Sequence, residues 1–340
     1  MPENRIHHID RTNPAAFTLS RPLNNILVLG GTGILGPHLL AHLSTDPQFI
    51  LTTLTRSSST PSSSPLPASI RTISISPSFP QRDLAAAVKG QDAIINLIPP
   101  FNLALHKRII DTAIGSNVAR YIPGEFALAT HDPEVVAMVP GPFGAQAQIA
   151  EYLVQKTTMD EKEGRGGGMM TMTWTGICTG CFLDWGLQTG FLGFDLEKRE
   201  ATLYDSGQGV GDLTTLPDVC EAVRAVLKHA SQETANRWVH VNTFRLTQAQ
   251  ILENLQTATD RREWTCRSVD SKVMNWMGNK KLGEGDFDGF QPAVLGLFWG
   301  GYESGRMDVE KDNELLLGRG TRSLGELDEV VRKVLDEVAT

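Results

Sequence analysis

The sequence predicts an α/β protein: a doubly wound parallel sheet followed by a smaller α+β lobe. Three observations predict it. A short apolar run enters glycines spaced Gly30-x-x-Gly33-x-x-Gly36 and leaves as a helical pattern. Five strand patterns then alternate with helical ones as far as residue 122, an order most economically met by a parallel sheet wrapped in helices. Beyond a sixth strand pattern ending at residue 178, the alternation fades into a stretch rich in glycine, aromatics and turn signals.

The first strand, residues 26–29, is short, apolar and closed by glycine, as suits a strand buried on both faces. Gly30 permits a sharp turn. Gly33 lets the backbone approach a pyrophosphate, and Gly36 lets the following helix pack against the strand. The first amides of that helix carry partial positive charge, Thr32 adds a hydroxyl, and Ile34 and Leu35 complete the turn. This is a Rossmann-type dinucleotide turn, with a first interval one residue longer than the common G-x-G-x-x-G, as in short-chain dehydrogenase-like folds. A glycine turn in some other α/β protein is the alternative.

Helix 37–43 leads to a second strand, 49–55, ending at Arg56 and Ser57. An enzyme taking the non-phosphorylated dinucleotide usually sets Asp or Glu here for the ribose hydroxyls. Arg56 instead offers five donors and a permanent charge, flanked by Thr55, Ser57 and Ser58 and about 20 residues beyond the glycines. NADP(H) is therefore the expected cofactor. The alternative is that Arg56 is a solvated strand end.

Residues 57–69 read as a Ser/Pro-rich loop, 70–75 as a third strand, 84–88 as helix, and 92–98 as a fourth strand stopped by Pro99 and Pro100. Ligands of open parallel sheets lie beyond the carboxyl ends of the strands, which puts Ile98 and Pro99 near the cofactor. Helix 103–114, a fifth strand 119–122 and Pro123-Gly124-Glu125-Phe126 follow. Helix 146–154, a charged and glycine-rich loop 160–168 carrying Lys162 and Arg165, and strand 170–178 complete this half. In the second half, 182–216 reads as a binding lobe. Helices are expected at 217–229, 248–257, 292–298 and 323–338, and strands at 238–241 and 264–269. Thr247 with Gln250, and Ser323 with Glu326, form capping-box patterns. The expected division is an extension over 1–23, an NADP-binding domain over 24–180, and a mainly substrate-binding lobe over 181–340 whose last helices return to the first domain.

A net charge of −8 argues against broad nucleic-acid binding. No apolar run has membrane length, and neither a signal-peptide core nor a lipidation signal is read at the ends. Cys178, Cys181, Cys220 and Cys266 form no evident disulfide framework, so a cytoplasmic location with reduced thiols is expected. No metal site is expected. His7 and His8 have no further ligand nearby, and Cys178-x-x-Cys181 has zinc-like spacing with no second ligand pair.

Certain stretches together are more specific than the glycine turn: residues 30–36, residues 109–126, the run Trp174-Thr175-Gly176-Ile177-Cys178-Thr179-Gly180-Cys181-Phe182-Leu183-Asp184-Trp185, and Asn313-Glu314-Leu315-Leu316-Leu317-Gly318. On these, the chain resembles the NmrA-like and isoflavone reductase-like group of atypical short-chain dehydrogenases, especially fungal members, over most of its length from residue 24. The resemblance implies a lobe that binds NADP(H), a smaller lobe closing a substrate cleft, and Pro123, Glu125 and Phe126 bordering the nicotinamide end. Members commonly flank that Glu-Phe pair with Ser and Gly, where this chain has Gly124 and Ala127. Many also place a lysine near the start of the helix after the fifth strand, where it orients the ribose and supports proton transfer. Alignment on residues 149–153 puts Gln146 there, an amide that hydrogen-bonds but is neither acid nor base near neutral pH.

The catalytic group stays open among Gln146, Glu125 and Tyr152. Tyr152 with Lys156 matches the Tyr-x-x-x-Lys pair of ordinary short-chain dehydrogenases, both on one helix face, yet the alignment sets Tyr152 at an aromatic packing position. His106 reads as a packed histidine or a base, and His131-Asp132 as a solvated loop or a base. Phe182, Asp184 and Trp185 are placed along the substrate cleft, Trp185 also with a packing role. Three functions remain. One is an NADP(H)-dependent oxidoreductase acting on an aromatic or polyketide-like small molecule in secondary metabolism. Another is an NADP(H)-binding isomerase or cyclase without net redox change. The third is a non-catalytic redox sensor that binds a protein partner. Six tryptophans, all beyond residue 173, favour a small-molecule pocket.

Overall fold

The computed structural model describes residues 22–58, 66–162, 172–228, 233–260, 262–301 and 308–338. His7, His8, Arg165 and the side chain of Lys162 lie outside the described residues, as do most of the Ser/Pro-rich loop and residues 163–171. From the glycine turn onward the chain runs β1 (Asn25–Leu29), α1 (Gly36–Leu43), β2 (Ile50–Arg56), β3 (Arg71–Ile75), α2 (Gln81–Val88), β4 (Ala93–Asn96), α3 (Leu103–Gly115), β5 (Arg120–Ile122), α4 (Pro133–Met138), α5 (Pro142–Lys162) and β6 (Thr173–Cys178). It continues through β7 (Cys181–Phe182), α6 (Leu183–Gln188), β8 (Phe194–Asp195), β9 (Glu200–Tyr204), β10 (Val210–Thr214), α7 (Leu216–Lys228), β11 (Arg237–His240), β12 (Phe244–Thr247), α8 (Gln248–Ala258), β13 (Thr265–Val269), α9 (Ser271–Gly283), α10 (Phe290–Trp299), α11 (Glu310–Leu317) and α12 (Leu327–Val338).

Seven strands form one parallel sheet in the order β11-β6-β5-β4-β1-β2-β3. The order reverses between β1 and β4, and in an open parallel sheet the ligand crevice opens at that reversal, beyond the carboxyl ends. Two three-stranded sheets, β12-β10-β7 and β13-β9-β8, belong to the second half.

β1 is the sheet's anchor. Ile26 and Val28 enter an apolar cluster with Leu39 and Leu40 of α1 and Val219, Val223 and Val226 of α7. Leu27 and Leu29 enter another with Leu84 of α2, Ile109 and Ile110 of α3 and Leu153 of α5. Each such burial is worth about 1.5–3 kcal/mol, so these four residues together rival the whole net stability of a domain, about 5–15 kcal/mol. A third cluster, around Phe194, Leu213, Phe244, Ile251 and Trp299, holds the second half.

The structure corrects several expectations. α5 begins at Pro142, a residue tolerated in a helix's first turn, and runs to Lys162, so residues 160–162 are helical rather than loop. The sequence patterns do not predict α4, α6, α9 and α11. α9 carries Gly278 and α10 carries Gly296, both inside helices. A Cβ at Gly278 would lie 2.3 Å from Ala293 N, and one at Gly296 would lie 2.4 Å from Ser271 O, so these glycines are what lets the two helices touch. β7 and β8, two residues each, are too short for a periodicity argument to register. Both capping boxes form, although Ser323 caps a 3-10 turn, Leu324–Glu326, ahead of α12. Among the described residues no helix is long and apolar enough to cross a membrane.

Candidate functional site

β1 delivers the chain to Gly30 where the strand order reverses. Gly30 has φ +79°, and a Cβ there would lie 2.9 Å from the Leu97 carbonyl carbon. At Gly36 a Cβ would meet the Gly31 backbone at 2.5 Å, so α1 presses directly on the turn. Gly33 differs. The nearest atom to a Cβ would be Gly30 O at 3.5 Å, so the fold itself does not demand glycine there. Its bareness leaves an open face, with Thr32, Gly33 and Ile34 exposed and Leu35 turned inward. Leu35 brings no side-chain cap to α1, which leaves the first helical amides for an anion. Gly31 also belongs to the turn although the Gly-x-x-Gly-x-x-Gly spacing does not include it: a Cβ there would lie 2.3 Å from Thr53 Oγ1 of β2. The doubled glycine was the available signal.

Register places the flanks. Leu29 pairs with Leu54 of β2, so exposed Arg56 and Ser57 stand just beyond, beside the turn. On the other side Leu29 pairs with Asn96 of β4, so Ile98 and Pro99 flank the turn opposite Arg56. Buried Asn96 organises that side. Its Nδ2 donates to Tyr121 OH at 2.8 Å and to His106 Nδ1 at 3.1 Å, while its Oδ1 accepts from Ile98 N at 3.2 Å. His106 Nε2 lies 3.0 Å from Pro99 O. These bonds together require the neutral Nε2–H tautomer, and burial lowers the His106 pKa accordingly. His106 is thus a strut for the Pro99 loop.

Pro123, Glu125 and Phe126 follow β5 at the carboxyl edge. A Cβ at Gly124 would lie 2.8 Å from Asn96 O, which accounts for glycine where the family commonly has serine. Glu125 is fully buried. Thr130 Oγ1 donates to its Oε2 through a short bond, and Gln146 Nε2 donates to its Oε1 at 3.0 Å. Burial pushes its pKa up, and the two donors partly oppose that. Thr130, five residues along the same loop, carries no motif in the sequence that marks it. Ala127 O accepts from Thr179 N and Gly180 N at 3.0 and 3.1 Å, tying this loop to the end of β6.

Other singled-out residues lie elsewhere or are otherwise engaged. The structure does not bring Tyr152 to Glu125 and Gln146. Its hydroxyl donates to the Asp111 carboxylate of α3 at 2.8 and 2.9 Å, Lys156 Nζ is 2.9 Å from that carboxylate, and the ammonium groups of Lys107 and Lys156 lie over its ring. Burial, then the Asp111 bond, raises the Tyr152 pKa, opposite to what a proton-donating tyrosine needs. The Asp184 carboxylate accepts from Leu216 N at the start of α7 and from Trp185 N. Trp185 packs at 5.2 Å from Phe191, and Phe182 lies half-buried against the β1–α1–α7 cluster. Cys181 belongs to the core of the second half, whereas Cys178 faces His131.

A family model described as NAD(P)H-binding matches residues 30–205. The chain is 28% identical to the oxidoreductase aprR of Aspergillus flavus over 312 residues, 91% of this chain and 98% of that protein. It is 30% identical to the isoflavone reductase homolog IRL of Zea mays over 133 residues, 37% of this chain and 43% of the maize protein. The crystal structure of Citrobacter sp. triphenylmethane reductase complexed with NADP(H) superposes with a TM-score of 0.63 over 91% of this chain and 99% of that one. At 14% identity that is a likeness of fold. With the turn, the strand order and these likenesses together, the chain belongs to the NAD(P)H-binding family, in its NmrA-like and isoflavone reductase-like branch.

Proposed function

We propose that the protein is an NADP(H)-dependent oxidoreductase acting on an aromatic or polyketide-like small molecule in secondary metabolism. One observation carries the cofactor part: the glycine turn sits at the strand-order reversal with Arg56 beside it. The open face at Gly33 and the uncapped start of α1 fit a pyrophosphate. Arg56, with Thr55, Ser57 and Ser58, fits a 2′-phosphate. Ile98 and Pro99 would lie near the cofactor, and Pro123, Glu125 and Phe126 would border its nicotinamide end, which when bound would supply the hydride. Fixing the ring over the substrate is most of what hydride transfer asks of the protein. Glu125, held by Thr130 and Gln146, fixes the loop on that side. The relatives named oxidoreductases support the same reading.

The Gln146 amide is committed to Glu125 and cannot donate a proton as an acid, which favours one second reading: an isomerase or cyclase that uses the same pocket with no net redox change. Incubation with NADPH and candidate aromatic ketones and enones, following absorbance at the nicotinamide band and product mass together, separates the two. Stoichiometric NADPH oxidation with a product heavier by two hydrogens supports the oxidoreductase. Product of unchanged mass without NADPH loss overturns it in favour of the isomerase.

A further inference from the structure

We propose that His131, Cys178 and His240 form a binding site for a zinc-type divalent cation, with a fourth coordination position left open. β6 and β11 are adjacent and parallel, and His240 is the register partner of Cys178. Their side chains therefore leave the sheet side by side on one face, each as the last residue of its strand. His131 arrives from the loop between β5 and α4 and brings Nδ1 to 3.9 Å from Cys178 Sγ. One ligand atom from each of the three lies within 4.8 Å of the other two. The imidazole centres are 5.4 Å apart.

These spacings are close to what a shared ion asks. With Zn–N of about 2.0–2.1 Å and Zn–S of about 2.3 Å, tetrahedral ligand atoms sit about 3.4–3.7 Å apart and two imidazole centres about 5 Å apart. Closure takes movements of about 1 Å or less at each side chain. A second observation points to a ligand. His240 Nε2 is buried and has no hydrogen-bond partner among the described residues, an arrangement that a native structure rarely keeps without cause.

The surroundings hold the three in place. His131 stacks on Trp238 with ring centres 4.6 Å apart, and the Asp312 carboxylate accepts from His240 N at 2.9 Å. One cysteine sulfur, which gives up its proton on binding, and two imidazoles suit zinc, whereas magnesium and calcium select oxygen. The Cys178-x-x-Cys181 spacing thus misleads, because Cys178 finds its partners across the fold. Three protein ligands with an open position are the pattern of reactive zinc sites rather than structural ones. The loop that supplies His131 also carries Glu125 and Thr130, so a bound ion would pin that loop.

The test is titration of the chelator-treated full chain with Co2+, read by absorbance, then displacement by Zn2+. The expected result is saturation at one ion per chain with a thiolate-to-cobalt charge-transfer band. Cys178→Ser abolishes the band. His240→Asn and His131→Phe, the latter preserving the stack on Trp238, each weaken affinity by more than about 100-fold, since loss even of outer partners costs 10–100-fold. NADPH binding by each variant checks that it is folded. The proposal is overturned by absence of the charge-transfer band, or by affinity that survives His240→Asn and His131→Phe in folded protein. It is equally overturned if His7 and His8 account for the ion, which would give no band and no response to these substitutions.

Discussion

Gln146 Nε2 donates to Glu125 Oε1 at 3.0 Å, with both side chains buried. The place where the resembling reductases hold a lysine is therefore filled by an amide spent on a carboxyl group. Truncating Gln146→Ala leaves that buried oxygen without its donor, a loss worth about 1–3 kcal/mol. Urea unfolding should show an unfolding free energy lower by that amount, seen as a lower midpoint with the slope unchanged.

The same pair sets a pH dependence. Burial raises the Glu125 pKa above its ordinary 4.5. Below 4.5 the group is protonated in folded and unfolded chains alike, and no penalty exists. Between 4.5 and the raised value the unfolded chain has released a proton that the folded chain keeps, so stability falls as pH rises through that window. Glu125→Gln removes the titration, so its stability relative to the wild type should improve from pH 4 to pH 8. Thermal melts giving the same gap at both pH values would refute this.

Gly33→Ala and Gly36→Ala should behave differently. A methyl at Gly33 has open space in the protein, its nearest neighbour 3.5 Å away, whereas one at Gly36 would drive into the Gly31 backbone at 2.5 Å. Gly33→Ala should melt within about 1 °C of the wild type, since it changes ΔG by only a few tenths of a kcal/mol, yet bind NADPH at least about tenfold more weakly. Gly36→Ala should lower the melting temperature outright. Calorimetry of the cofactor-free protein with parallel NADPH titrations reads both.

Tyr152→Phe should leave turnover unchanged, because the phenol is bonded to Asp111 on the outer side of α3 and α5. The cost should be confined to stability, at most about 1 kcal/mol for a half-exposed hydrogen bond. A tenfold fall in kcat would return Tyr152 to the catalytic group.

What the sequence made legible follows the range of each physical signal. β1, the glycine turn and α1 are local, dictated by burial on both faces and by backbone clearance, so residues 26–43 could be read directly. Gln146 was visible by alignment, but its partner was not. Thr130 and Glu125 meet only because the loop after β5 folds back on itself. Tyr152 and Lys156 have a suggestive spacing that is real on the helix face, yet Asp111, on another helix, captures both. His240 and Cys178 are 62 residues apart in sequence and side by side in the sheet; no local pattern carries that pairing. The role of Gly278 and Gly296, contact between α9 and α10, lies in the partner helix and leaves no local signal.

The central claim is that the turn at Gly30–Gly36 with Arg56 holds NADP(H) in preference to the non-phosphorylated cofactor. Calorimetric titration of wild type and Arg56→Ala with NADPH and NADH tests it most directly. The account predicts that the wild type binds NADPH at least about tenfold more tightly than NADH, and that Arg56→Ala loses about 10- to 100-fold for NADPH, the worth of charge-assisted hydrogen bonds, while NADH affinity stays put. Equal wild-type affinity for the two cofactors would contradict it.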